Sequence, residues 1–229
     1  MYSIAKREFF QLFKSIKSIL IIALLLLTTY YAAKFADVII AIAELSSEEA
    51  KDAHTAGLLF FMLLFGQLFV MALSHDVMNR EIYERTMRFL VTRTSRTSII
   101  AGKFLGVWLF WFSCVTAAFL VTIVFSKHFN LFLLAQTISL FTFQVALVVL
   151  LSVIIPKPAF SMFIGVMAGI AFPFFGFWAA FLQDSWYSAL RFLSPYTYLI
   201  RDDYTFLVVF IGSAAMLLAA NELFKRREC

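Results

Sequence analysis

Residues 78–103 read MNREIYERTMRFLVTRTSRTSIIAGK. About half of this stretch is polar or charged, yet the blocks on either side are almost wholly apolar. That contrast decides how the chain is read. Long apolar blocks belong in lipid, and a basic stretch between two of them is a segment returned to water. The 229 residues are 62% hydrophobic and 14% charged, whereas a soluble domain is close to half apolar and a quarter charged. The chain is therefore expected to be an all-α integral membrane protein, and it is too short to carry a large soluble domain as well.

A helix needs about 20 apolar residues to span a bilayer. Six stretches satisfy this: 19–33, 56–74, 104–125, 131–155, 159–182 and 204–220. The first is short, but Lys17 and Lys34 can snorkel and extend it. With the N-terminus in the cytoplasm, fourteen of the nineteen Lys and Arg fall on the inner side. The positive-inside rule then places both termini in the cytoplasm. The net charge of +5 is a topology signal that anionic lipid can attract, and it calls for no nucleic acid.

Residues 1–18 are not a span. Phe9, Leu12, Phe13, Ile16 and Leu20 recur at three- and four-residue steps, with Arg7, Gln11, Lys14 and Ser18 opposite. This predicts a basic amphipathic helix lying in the headgroup plane, followed by the six-helix domain over 19–229. In the opening stretch, Glu81–Arg85 and Glu84–Arg88 are i,i+4 pairs with the acid first, the better orientation for a solvated helix. Met78, Ile82 and Phe89 recur on one side, so the helix is two-faced, as a docking surface would be. Thr92–Ser98 is expected to break it, with Ser98 capping the next helix.

Little chemistry is written in the chain. No GxxxxGK[ST], HExxH or GxSxG motif occurs. Cys114 lies in an apolar block and Cys229 is the last residue, a spacing that suits neither a metal nor a redox pair. Glu48 and Glu49, with His54 and His128, would be an incomplete metal set on the outer side. His75 reads as solvated. The span interiors offer chiefly amides, Gln67, Gln136 and Gln144, as candidates to line a path. The spans hold almost no ionisable group, so no coupling residue for an ion gradient is evident, and energy for uphill movement has to come from another chain. Gly165 and Gly169 form a GxxxG that permits close packing within the bundle or between chains.

The arrangement resembles the permease subunit of ABC-2 type (type V) ATP-binding cassette exporters, over nearly the whole chain. The residues that carry the resemblance are Arg80-Glu81, Glu84, Thr86, Leu90, Arg96 and Gly102-Lys103, with Arg85 where the family has glycine and Thr94-Ser95 where proline is common. The resemblance implies that the helix after the second span is a coupling helix inserted into an ABC ATPase subunit. Its contacts would be Glu81, Glu84, Arg85, Arg88 and Arg93, with a minor contact at Pro156-Lys157-Pro158. ATP and Mg would bind to the ATPase, and no cofactor to this chain. It also implies an extracellular re-entrant hairpin over 183–203, around Ser194, Pro195 and Tyr196, whose aromatic residues would favour the interface. A second permease chain, the same or similar, would complete the transporter in the plasma membrane. The phenylalanine-rich spans suit a hydrophobic or amphiphilic cargo, such as a peptide, a lipid-linked molecule or a drug, and among these the resemblance implies a peptide. The alternatives are a non-transporting sensor or assembly subunit, and an ATP-independent channel or carrier.

Overall fold

The computed structural model describes residues 1–43, 47–181, 192, 194–201 and 203–226. These are helical nearly throughout, with no strand among them. In chain order the helices are α1 (Tyr2–Lys14), α2 (Ile16–Ala43), α3 (Ser47–Ser74), α4 (Asn79–Tyr83), α5 (Met87–Val91), α6 (Arg96–Ser126), α7 (Leu131–Ile154), α8 (Pro158–Phe181), α9 (Tyr196–Leu199) and α10 (Leu207–Lys225). Six of them, α2, α3, α6, α7, α8 and α10, are long and apolar enough to cross a membrane. The expected six-span all-α class is therefore the one found.

Lipid offers the backbone no hydrogen-bond partner, so a span must satisfy itself. Polar side chains in the spans follow the same rule. Thr29, Ser113, Thr116, Thr137, Thr142 and Ser213 each donate to the carbonyl four residues back. The helix ends are set locally. Ser95 caps α6 by accepting from the Ser98 amide, and Asn130 caps α7 by accepting from Leu133 at 3.0 Å. Pro158 opens α8, where its missing N–H costs nothing. The core lies among α3, α6 and α7, where Trp111 stacks on Phe141 at 5.3 Å.

Several local expectations are corrected. The amphipathic helix ends at Lys14 rather than residue 18. Ser15 adopts an extended conformation and turns the chain directly into α2. The buried face of α1 is Ile4, Ala5 and Glu8, packed on α6, while Ile16 and Leu20 are exposed. Ser98 is not the cap of α6; the helix begins three residues before the expected position. Residues 78–91 hold two short helices, not one long one. Arg85 sits between them with φ at 59°. The Arg85 and Thr86 amides donate back to the Ile82 and Glu81 carbonyls at 3.2 and 2.9 Å. This is a Schellman turn, whose αL position favours glycine because it has no Cβ. It explains why a glycine is at home at this position, and it abolishes the expected helical pairing of Glu81 with Arg85 and Glu84 with Arg88. The α8 GxxxG faces α3 of the same chain: a Cβ on Gly169 would lie 2.8 Å from the Leu68 Cα, and one on Gly165 3.1 Å from the Met71 sulfur.

Candidate coupling site

One end of the bundle gathers α1, α4, α5, the start of α6 and the end of α10. Gly102 and Gly106 form a track on α6 along which α1 passes. A Cβ at Gly102 would meet the Met1 carbonyl at 2.9 Å, and one at Gly106 the Ala5 carbonyl at 2.7 Å. This close approach carries Glu8 of α1 up to Lys103 of α6. Lys103 is fully buried. Its ammonium pairs with Glu8 at 3.0 Å and Glu81 at 3.1 Å, and donates to the Val77 carbonyl at 2.6 Å. Arg7, half exposed, pairs with both acids from the outer side. Two acids and two bases thus cancel one another inside the protein.

Charges removed from water in this way persist only when paired and hydrogen-bonded. Burial pushes the Glu8 carboxyl up, but Lys103 and Arg7 outweigh it and hold the group below its ordinary range. Burial likewise lowers Arg7, and the two carboxylates more than offset that. Glu8 and Lys103 are therefore central, although the sequence showed Lys103 only as part of a motif and Glu8 not at all. Their signal was available: a lysine inside an apolar helix requires a partner.

The link between α3 and α4 is fastened to two further spans. Ser152 of α7 accepts from the Met78 and Asn79 amides at 2.9 and 3.2 Å, and the Asn79 side chain donates to the Ile155 carbonyl at 3.0 Å. Ser161 of α8 donates to the His75 carbonyl at 2.7 Å. At the start of α6, Arg96 donates to the Phe224 carbonyl at 3.1 Å and to the Lys225 carbonyl, and lies over the Phe224 ring. These are the carbonyls a helix C-terminus leaves open, so α6 and α10 are tied as well.

The sequence-predicted contact residues divide accordingly. Glu84, Arg85, Arg88 and Arg93 are exposed, together with Tyr83 and Phe89. Glu81 is buried in the ion cluster and faces inward. Met78 and Met87 are buried beneath the segment.

The other predicted residues lie elsewhere. Gln136 is buried and donates to the Leu199 and Arg201 carbonyls, bracing α7 against the segment after α9. Gln144 lies in the notch at Gly66 and reaches the Met62 carbonyl at 3.5 Å, while Gln67 is buried without a hydrogen-bond partner. Ser194 donates to the Gly176 carbonyl. Tyr196 is fully buried rather than interfacial: its hydroxyl donates to the Leu63 carbonyl at 2.6 Å and its ring lies against Phe172 and Phe177. Of the hairpin expected over 183–203, residues 183–191, 193 and 202 lie outside the described residues. The side chains of Glu48 and Glu49 also lie outside them. Among the described residues no cluster of His, Cys, Asp or Glu could hold a metal.

No curated protein matches the chain. The family model for ABC-2 family transporter protein matches residues 2–202. That match takes in α1 and the whole fastened segment from α3 to α6. The chain belongs to the ABC-2 transporter family, as a membrane permease subunit that works with an ABC ATPase.

Proposed function

We propose that the α4–α5 segment is the cytoplasmic coupling element that receives ATP-driven motion and passes it into the bundle. The observation that carries this reading is its two-sidedness. One face exposes Glu84, Arg85, Arg88 and Arg93 around Tyr83 and Phe89. The other is ion-paired through Glu81 to α1 and α6 and hydrogen-bonded through Asn79 to Ser152 of α7 and to the Ile155 carbonyl, next to the α3–α4 link that Ser161 of α8 holds at His75. The exposed face supplies the ionic contacts to the ATPase. Glu81 is reassigned from contact to transmitter, because it is committed to Lys103. ATP and Mg are bound by the ATPase subunits, and this chain supplies the path.

The path is completed by a second permease chain. Gln136 and Gln144 are directed at neighbouring helices of their own bundle, which leaves six helices few means of enclosing a route alone. Apolar faces such as that of α8, with Phe163, Phe174 and Phe175 exposed, suit lipid, a partner permease and a greasy cargo. The cargo is a hydrophobic or amphiphilic molecule, a peptide above all, exported across the plasma membrane with both termini in the cytoplasm.

The test is gentle purification of the tagged chain from its membrane. The wild type is expected to bring an ABC ATPase with it, and Arg88→Ala/Arg93→Ala to lose most of that ATPase while folding normally. Equal retention by the variant would remove the docking face from these arginines. Cargo movement in liposomes by the chain alone would overturn the ATP-driven reading altogether.

A further inference from the structure

A cavity of about 210 Å³ opens at the elbow between α1 and α2, against the end of α3. It is distinct from the docking face, although Glu8 and Arg80 lie in its wall. A water occupies about 30 Å³ of liquid, so the space takes several waters or one headgroup. Ser18 and Ser74 are in its wall, 0% and 2% exposed, and their hydroxyls have no hydrogen-bond partner. This departs from the pattern of the spans, where Thr29, Ser113, Thr116 and Ser213 all donate back to their own helix. The buried Nδ1 of His75 is also unpartnered, and His75 lines the same space.

The charges around the cavity favour an anion. Glu8 is neutralised by Lys103 and Arg7, and Asp76 faces Arg80 at 3.4 Å. Lys17 is exposed at the rim, and among the described residues no carboxylate pairs with it. Ser15 immediately precedes α2, and Lys17 and Ser18 lie in the first turn of this 28-residue helix, whose leading N–H groups carry partial positive charge. Beside the opening, Ile16, Ile19 and Leu20 are 77%, 55% and 65% exposed. A polar, anion-selective hollow next to an exposed apolar stripe matches the two ends of a phospholipid.

We propose that this cavity binds the phosphate of an anionic phospholipid of the leaflet in which α1 lies, with the acyl chains along Ile16, Ile19 and Leu20. Such a lipid fixes the angle at Ser15 and so the seat of α1, which carries Glu8 to the ion cluster.

The test uses the full chain in detergent, with phosphatidylglycerol, phosphatidylcholine or inorganic phosphate added, and reads bound lipid by native mass spectrometry and melting by fluorescence. Phosphatidylglycerol is expected to be retained and to raise the melting temperature where phosphatidylcholine does not. Lys17→Gln/Ser74→Ala should weaken retention about tenfold, as for loss of hydrogen bonds to a charged group. Lys14→Gln, which removes a charge outside the cavity, should leave it unchanged. Lys17→Gln alone sits at an exposed position and reports the site even if the double variant folds poorly. Equal retention of the two lipids, or equal weakening by Lys14→Gln, overturns the site. Stabilisation by inorganic phosphate as large as that by phosphatidylglycerol, and equally lost in the variants, overturns the lipid as its source.

Discussion

The two ends of the bundle are held together by different chemistry. At the α1 end, four charged side chains from α1, α4 and α6 neutralise one another, with Lys103 and Glu8 shut away from water. At the other end the ties are uncharged: the Tyr196 hydroxyl on the Leu63 carbonyl and the Gln136 amide on Leu199 and Arg201. Removing one member of a buried ion pair strands a charge and costs about 3–5 kcal/mol. Losing a neutral hydrogen bond costs about 1 kcal/mol. On these costs the charged end is the harder one to separate and the neutral end the cheaper.

The largest effect should come from stranding the acids. Lys103→Met is expected to destabilise the chain by about 3–5 kcal/mol, read as a large drop in melting temperature. Glu8→Gln/Glu81→Gln/Lys103→Met should recover most of that loss, because no buried charge is left unpaired and Arg7, which loses both its partners, is half exposed to water. If the triple variant is as unstable as the single one, hydrophobic packing rather than charge holds this end. Next come the glycine tracks. Gly106→Ala places a Cβ 2.7 Å from the Ala5 carbonyl, and Gly176→Ala places one against the Tyr196 ring. Each should cost about 1–3 kcal/mol by overpacking. The Gly176 variant should be partly relieved by Tyr196→Ala, a rescue that denaturation of the double variant would reveal.

Arg85→Gly should stabilise the turn by about 1 kcal/mol, since the αL backbone penalises a Cβ. A lower melting temperature instead would mean that the side chain earns its strained position within the chain. The smallest effect is the acid limb. The Glu8 carboxyl is held below its ordinary value of 4.5 in the folded chain. Its contribution is thus complete above that pH and is lost as pH falls through the lower folded value. Glu8→Gln should flatten this part of a pH-stability curve.

The sequence disclosed whatever depends on runs of residues. Six apolar blocks, the basic ends and the amphipathic start were all legible, because lipid imposes length and polarity on a span. Individual side-chain directions were not. Glu81 and Glu84 look alike in a charged stretch, yet one is buried against Arg7 and Lys103 and the other is exposed. The pairing of Glu8 with Lys103 joins residues 95 apart, which no local pattern contains. Two clues did stand in the sequence: a lysine within an apolar helix, and glycines at 102 and 106 that let another backbone approach. Tyr196 was misjudged because aromatic residues favour the interface on average, while this one is seated in a notch made by Gly176.

The central claim is that motion of the α4–α5 segment reaches the rest of the bundle through the buried charges. It is tested most directly by placing a cysteine at Ser194, with Cys114→Ala and Cys229→Ser, in the complex with the co-purifying ATPase. Labelling by an impermeant thiol reagent is then followed with and without ATP. The account predicts that ATP changes the labelling rate in this background and leaves it unchanged once Glu8→Gln/Glu81→Gln/Lys103→Met is added, with the ATPase still bound. A full nucleotide response in that neutral variant would contradict it.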